Sequence, residues 1–386
     1  MRVALLAPMP PAQSGIADYA GAWATAMAGA GVQVCLPPRD RQGQWPAAQS
    51  AWWNGVDRVH AELGGGRSAE FLQLEALAAA GHRRLTATVH DPERLVWRDP
   101  VPGRWQRRAA GWPRPLPQLL ALAANGRTLA RERALAGQLS ALVTLTRTGA
   151  DGLRRRMQLA AGQVQAIAHG NADLPPRPLP AGEGLELLYF GFLYPGKGIE
   201  MLFQALARVL AERPQAAVRL TLAGGTAPEL TFADGSGYLP GLRALATRLG
   251  IDHCLRWQLD LPAAALVDCI QSHQVMVLPY RQSWRIGLLG RMLGTSGALS
   301  WASACGRGVI ATDTRAFAEE LSHGNGCVVP QDDVPAMAAA IVRLLDAPGL
   351  AACWAGQAAV LGQQRRWERI AGDFAALFAR LQEAGR

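Results

Sequence analysis

Two series of short apolar runs, mostly separated by helix-patterned stretches, limit this chain to very few folds. The first series is Val3–Ala7, Val32–Leu36, Val56–His60, Arg84–Val89, Ala141–Leu145 and Val164–Ala168. The second is Leu185–Phe190, Val218–Ala223, Leu255–Leu259, Val275–Pro279, Gly308–Ala311 and Cys327–Val329. Strands buried on both faces read as continuous apolar runs, and the helices between them supply the crossovers of a parallel sheet. Between the two series lies L-P-P-R-P-L-P-A-G-E-G, Leu174 to Gly184, where proline excludes regular structure. The expected fold class is therefore α/β, with two Rossmann-like doubly wound domains facing across a cleft. The expected boundaries are 1–173 for the first domain, 174–184 for a linker, 185–349 for the second domain and 350–386 for C-terminal helices.

The helix after the first run shows Ile16, Tyr19, Trp23 and Met27 on one face, with Ser14 placed to cap it. Across 386 residues, 49% hydrophobic and 18% charged content describes a packed globular protein. The six cysteines are scattered, with no C-x-x-C pair, which fits reduced thiols better than a disulfide framework or a zinc site. The opening apolar run ends at Pro8, too short for a signal-peptide core, and no apolar stretch approaches the ~20 residues of a membrane span. These features lead us to expect a cytoplasmic protein.

The net charge of +9 is concentrated. From Arg94 to Arg133 nine arginines stand against two acids, with Trp97, Trp105 and Trp112 among them and a leucine stripe behind. This composition suits an anionic membrane surface, and equally a solvated loop whose tryptophans pack on the domain. No nucleic-acid-binding motif appears.

Lys197 is the only lysine; every other one of the 39 basic residues is arginine. It closes the turn Gly191-Phe192-Leu193-Tyr194-Pro195-Gly196-Lys197-Gly198, between a strand run and a helix run. Loop N–H groups, a helix N-terminus and an ammonium point charge make an anion site, and phosphate is the expected anion. In parallel α/β sheets ligands bind beyond the C-terminal strand ends. Residues expected there are Ser14 and Gly15, His60 with Glu62, His90 with Asp91, and His169 to Asn171 in the first half. In the second half they are Gly191 to Gly198, Gly224 with Gly225, Tyr280 after Pro279, and Thr312 with Asp313. Of the three histidines, His90 is the best placed for catalysis. No G-x-G-x-x-G follows a strand, which argues against a dehydrogenase.

With these motifs in view, the chain resembles the GT-B nucleotide-sugar glycosyltransferases, nearest glycosyltransferase family 4, over nearly its whole length. Pro11 to Tyr19 looks like the family's first glycine loop, and Thr88-Val89-His90-Asp91 like its strand-end histidine near the donor sugar. Gly191 to Gly198 looks like the turn whose lysine binds the donor diphosphate, and Ala223-Gly224-Gly225 like the loop near the nucleotide. Ala304 to Thr312 resembles the segment after the donor-binding helix.

The resemblance implies hexosyl transfer from a nucleoside-diphosphate sugar to a glycan or lipid-linked acceptor, at the inner membrane face, in polysaccharide or glycolipid assembly. No cofactor beyond that donor is implied. Without an Asp-x-Asp motif, no essential metal is expected either. Donor contacts are implied at Ser14, Gly15, Gly191, Lys197, Gly198, Gly224, Gly225, Tyr280, Ser296 and Gly297. Catalytic roles fall to His90, Asp91 and Lys197, with Glu62 or Asn171 as a base or acceptor contact. The C-terminal helices are implied to cross back onto the first domain.

Three positions, in two motifs, depart from the family. Phe192 stands where a second cation on the diphosphate is usual, and Leu293 and Trp301 stand where two glutamates are usual. Retaining and inverting chemistry both stay open, as do an epimerase or hydrolase on the same fold and an inactive partner subunit.

Overall fold

The computed structural model describes residues 1–64, 66–97, 99, 116–182, 184–225 and 235–384, and the chain divides into two compact units. Met1–His169, Trp284–Thr295 and Trp367–Arg386 form the first unit, and Gly170–Ser283 with Ser296–Arg366 the second.

The first unit is built on a six-stranded parallel sheet in the order β2-β1-β3-β4-β5-β6. Its strands are β1 (Arg2–Leu6), β2 (Gln33–Cys35), β3 (Arg58–Leu63), β4 (Leu85–Val89), β5 (Ala141–Thr144) and β6 (Val164–Ala166). Every expected run forms a strand, but β3 runs on to Leu63, so His60 and Glu62 lie inside it rather than at its end. The strand continues because its backbone pairs with β4 from Val59 to Leu63. The register pairs His60 with Thr86 and Glu62 with Thr88. Alternation along a strand therefore puts residues 60, 62, 86 and 88 on one face. Helices Gly15–Gly29 and Trp367–Glu383 cover this face, burying Tyr19, Trp23, Phe374 and Phe378.

The second unit repeats the design, with parallel strand order β12-β11-β10-β7-β8-β9. The strands are β7 (Leu185–Phe190), β8 (Val218–Gly224), β9 (Leu255–Leu259), β10 (Val275–Leu278), β11 (Gly308–Thr312) and β12 (Gly326–Val329). Strand order reverses between β1 and β3 in one sheet and between β7 and β10 in the other, the switch points where α/β sheets bind ligands.

The structure corrects the expected domain boundaries. Residues 174–184 belong to the second unit and are pinned there. The guanidinium of Arg307, 2% exposed, donates to the carbonyls of Arg177, Pro178 and Gln271, and Gln271 Nε2 donates to Pro175 O. Helix Pro348–Gln364 also stays with the second unit. Trp354 seats against Gly308, and Gly362 passes close to the Ser303 carbonyl. Only residues from Trp367 onward belong to the first unit, because Ile370, Ala371, Phe374, Leu377 and Phe378 form one apolar stripe that its core buries. Trp284–Thr295, from the second half of the sequence, was not expected in the first unit.

Candidate functional site

In the first unit a chain of polar side chains runs under the end of β4. Thr86 Oγ1 donates to Val59 O at 3.2 Å, so it accepts from His60 Nδ1 at 3.0 Å. His60 Nε2 lies 2.9 Å from Thr88 Oγ1 and 3.4 Å from Glu62 Oε1. His60 is thereby satisfied, fully buried and stacked on Trp23 at 5.1 Å, which makes it a core residue. His90 Nε2 donates to Glu62 Oε2 at 2.8 Å. Burial by itself would raise the Glu62 carboxyl, but hydrogen bonds and charge from His60 and His90 outweigh it and hold the group down at about 2. Glu62 is therefore an ionised, fully buried carboxylate that orients His90. The expectation that it serves as a base or touches an acceptor is corrected, since no acceptor can reach it.

The His90 backbone runs between two glycines. A Cβ on Gly64 (φ +156°) would lie 2.8 Å from His90 Cβ, and one on Gly294 would overlap the His90 carbonyl oxygen. The segment Trp284–Thr295 is laced to the loop beyond His90. Glu93 N donates to Arg291 O at 3.0 Å, Leu293 N donates to Pro92 O, and Thr146 Oγ1 donates to Leu293 O at 3.2 Å. Leu293 is buried against Gly152. Asp91 comes directly after His90 and accepts from Trp97 Nε1 through its carbonyl at 2.8 Å. Tyr19 sets its ring edge-on to His90 at 4.7 Å and to His169 at 5.0 Å. Ser14 caps helix Gly15–Gly29 as expected, accepting from Ala17 N at 3.2 Å, and Gly15 has open space around it.

In the second unit the loops after β7, β8 and β10 meet at the switch point. Gly198 (φ +70°) starts helix Ile199–Glu212 so close to the Pro279 carbonyl that no side chain fits. Gly224 passes equally close to Gly191 O, and Leu193 N donates to Gly225 O at 2.9 Å. Lys197 Nζ stands 3.7 Å over the Tyr280 ring and 5.1 Å from the Tyr194 ring. Tyr280 shares a hydrogen bond with Ser296 Oγ at 3.1 Å, and Ser296 caps helix Gly297–Ala304 by accepting from Ala298 N. Burial would push the Tyr280 hydroxyl up, but the Lys197 ammonium, the Ser296 hydrogen bond and Arg315 hold it below its ordinary value. Lys197, Tyr280, Ser296 and Gly191 thus share one locus, where a Cβ on Gly191 would lie 3.8 Å from the Tyr280 hydroxyl.

Asn171 does not join that group. It is 2% exposed, belongs to the second unit, accepts from Ser300 Oγ and donates its N–H to Arg365 O at 2.7 Å. The acceptor-contact expectation is corrected to a structural tie. Trp301 packs on the core of the second unit. Residues 98 and 100–115 of the arginine-rich stretch, among them Arg104, Arg107, Arg108, Trp105 and Trp112, lie outside the described residues.

Sequence reading missed Gly64 and Gly294. The signal for Gly64 was present in the run Gly64-Gly65-Gly66 directly after an apolar strand. Nothing local marked Gly294, whose partner His90 is remote in sequence.

Residues 184–347 match the family described as Glycosyl transferases group 1. The D-inositol 3-phosphate glycosyltransferase of Streptomyces bingchenggensis is 26% identical over 219 residues, 56% of this chain and 43% of that protein. The phosphatidyl-myo-inositol mannosyltransferase of Mycolicibacterium smegmatis is 26% identical over 248 residues, 62% of this chain and 58% of that protein. The chain spans about half the length of the curated relatives it matches. Among solved structures, sucrose-phosphate synthase from Thermosynechococcus elongatus superimposes with a TM-score of 0.74 at 18% identity, covering 100% of both chains. Anabaena HepE in complex with UDP-glucose superimposes with a TM-score of 0.69 at 15% identity, covering 98% of this chain and 100% of that one. The match to that family is confined to residues 184–347, and the chain as a whole shares the GT-B fold of these solved structures.

Proposed function

We propose that this chain is a glycosyltransferase that moves a hexose from a nucleoside-diphosphate sugar to a glycan or lipid-linked acceptor in polysaccharide or glycolipid assembly. The observation that carries the reading is Lys197, set 3.7 Å over the Tyr280 ring at the switch point of the second sheet, beside the Ser296 cap. When the bond between the anomeric carbon and the β-phosphate oxygen breaks, negative charge collects on that phosphate. A fixed ammonium and the N–H groups opening helices Ile199–Glu212 and Gly297–Ala304 stabilise this charge without reorganising. The ammonium supplies charge that a divalent cation supplies elsewhere, so the reaction is read as metal-independent.

On the first unit, His90 is the acid–base group of the same reading. Its Nε2 proton is committed to Glu62, which leaves Nδ1 of the neutral ring to accept a proton or hold a sugar hydroxyl. The reading also includes binding at the cytoplasmic face of an anionic membrane. The arginines of the 94–133 stretch and the exposed side chains of Leu119, Trp284 and Leu288 support it. Leu293 and Trp301 favour a second reading, an inactive partner subunit that keeps the fold.

The test is calorimetry with UDP, GDP and ADP followed by turnover assays, beginning with UDP-glucose because HepE was solved with it. Lys197→Ala is expected to lower turnover by about 100-fold or more with the fold intact. Equal turnover in variant and wild type would remove the diphosphate assignment. Binding without any transfer would select the inactive-partner reading.

A further inference from the structure

We infer that Arg315 is the second cation of the diphosphate site, standing in for the charge that Phe192 does not provide. The inference rests on the diphosphate reading of Lys197 and extends it to a residue from a different strand end. Arg315 comes after β11, the neighbour of β10 in the sheet, and its guanidinium carbon lies 5.8 Å from the centroid of the Tyr280 ring over which Lys197 stands at 3.7 Å. One buried aromatic ring thus gathers both cations. The loop that carries Arg315 is anchored to the same tyrosine: Thr312 Oγ1 donates to Tyr280 O at 2.6 Å and shares a hydrogen bond with Thr314 Oγ1 at 3.2 Å.

The backbone gives an independent reason. Arg315 holds φ +56°, the left-handed region that costs a side-chain-bearing residue about 1 kcal/mol or more. Four non-glycine residues among those described adopt positive φ. Asp260 and Asp332 are of a type that tolerates it, and Gln158 closes a helix at its C-terminus, an ordinary place for it. Arg315 has neither excuse. Glycine would sit there without strain, so the side chain is kept for what it does, as strained residues at ligand sites commonly are. A guanidinium fork differs from the ammonium beside it in offering two parallel N–H donors to neighbouring phosphate oxygens. The pair then divides the work: Lys197 places point charge, and Arg315 fixes orientation.

The test is calorimetry of UDP, GDP and ADP binding to wild type, Lys197→Ala, Arg315→Ala, Arg315→Lys and Arg315→Gly, with melting temperatures of each. Arg315→Ala is expected to weaken the preferred nucleoside diphosphate about tenfold or more, with a shallower salt dependence and partial recovery in Arg315→Lys. Arg315→Gly is expected to lose as much affinity while melting at the same or a higher temperature, because the left-handed backbone is relieved. Affinity kept in both Arg315→Ala and Arg315→Gly while Lys197→Ala loses it overturns the Arg315 assignment and leaves the diphosphate reading standing. A lower melting temperature in Arg315→Gly makes the residue structural and likewise overturns it. A wild-type chain that binds none of the three nucleotides overturns both.

Discussion

His90 Nε2 lies 2.8 Å from Glu62 Oε2, and the carboxylate it touches is completely shut off from solvent. A carboxylate only accepts, so this contact decides which imidazole nitrogen carries the proton. In the proposed reaction Glu62 acts through His90, as a positioning residue. Glu62→Gln keeps the volume but replaces the carboxylate that accepts the His90 Nε2 proton with an amide. It is expected to lower kcat by about tenfold to a hundredfold, and His90→Ala by more. Nucleoside diphosphate affinity, measured by calorimetry, is expected to stay within about twofold in both, because the proposed diphosphate site lies on the other unit. A large loss of affinity with kcat unchanged would make the pair a binding element.

Acid stability should report on the same carboxylate. Its folded value of about 2 lies below the ordinary 4.5, so the unfolded chain binds this proton more tightly. The stabilisation is complete above pH 4.5 and is lost as pH falls from there towards 2. Urea unfolding of Glu62→Gln across that window is expected to show a flatter dependence of stability on pH than wild type. Parallel curves would mean that the carboxylate contributes nothing there.

Gly294 is expected to tolerate no side chain. Alanine would overlap the His90 carbonyl oxygen and force apart backbone that Leu293 and Arg291 hold in place. Gly294→Ala should destabilise the first unit by about 2 kcal/mol or more and abolish turnover through displaced His90. Thermal melting with a turnover assay checks this, and a variant with normal values for both would show that the close approach is not maintained.

Arg307 holds the proline-rich connector on the second unit by donating to the Arg177 and Pro178 carbonyls while it also pairs the buried carbonyl of Gln271. Arg307→Leu is expected to cost about 3 kcal/mol, from several orphaned acceptors, and to expose 174–184 to limited proteolysis. An unchanged cleavage pattern would mean that the connector is held by other contacts.

The apolar surface of the first unit can be tested separately from the chemistry. Trp284 and Leu288 are 71% and 54% exposed, unusual for such large side chains. Trp284→Asp with Leu288→Asp is expected to reduce sedimentation with phosphatidylglycerol-rich vesicles several-fold, and charge reversal at Arg104, Arg107 and Arg108 to do the same. Equal pelleting of all variants would leave this surface without a membrane role.

Much of the molecule was written locally. The apolar runs announced every strand, because a strand buried on both faces has no polar positions to conceal it. Lys197 was legible from its isolation among arginines and from its glycine turn, and Ser14 from its place before an amphipathic helix. Even the polar face of the first sheet can be read after the fact in V-H-A-E-L and L-T-A-T-V-H, where alternate residues 60, 62, 86, 88 and 90 share one side. The strand register was needed to turn that alternation into contacts, and it made His60 a core residue and Glu62 a buried orienting group. Three features depended on distance in sequence: the return of Trp284–Thr295 to the first unit, the Gly294 contact with His90, and the placing of Arg315 over Tyr280. Side-chain periodicity is a property of neighbours along the chain, so it fixes elements and their buried faces. Which strand ends lie side by side, and hence which charges share a ring or a proton, is decided by strand order and packing, which no local pattern encodes.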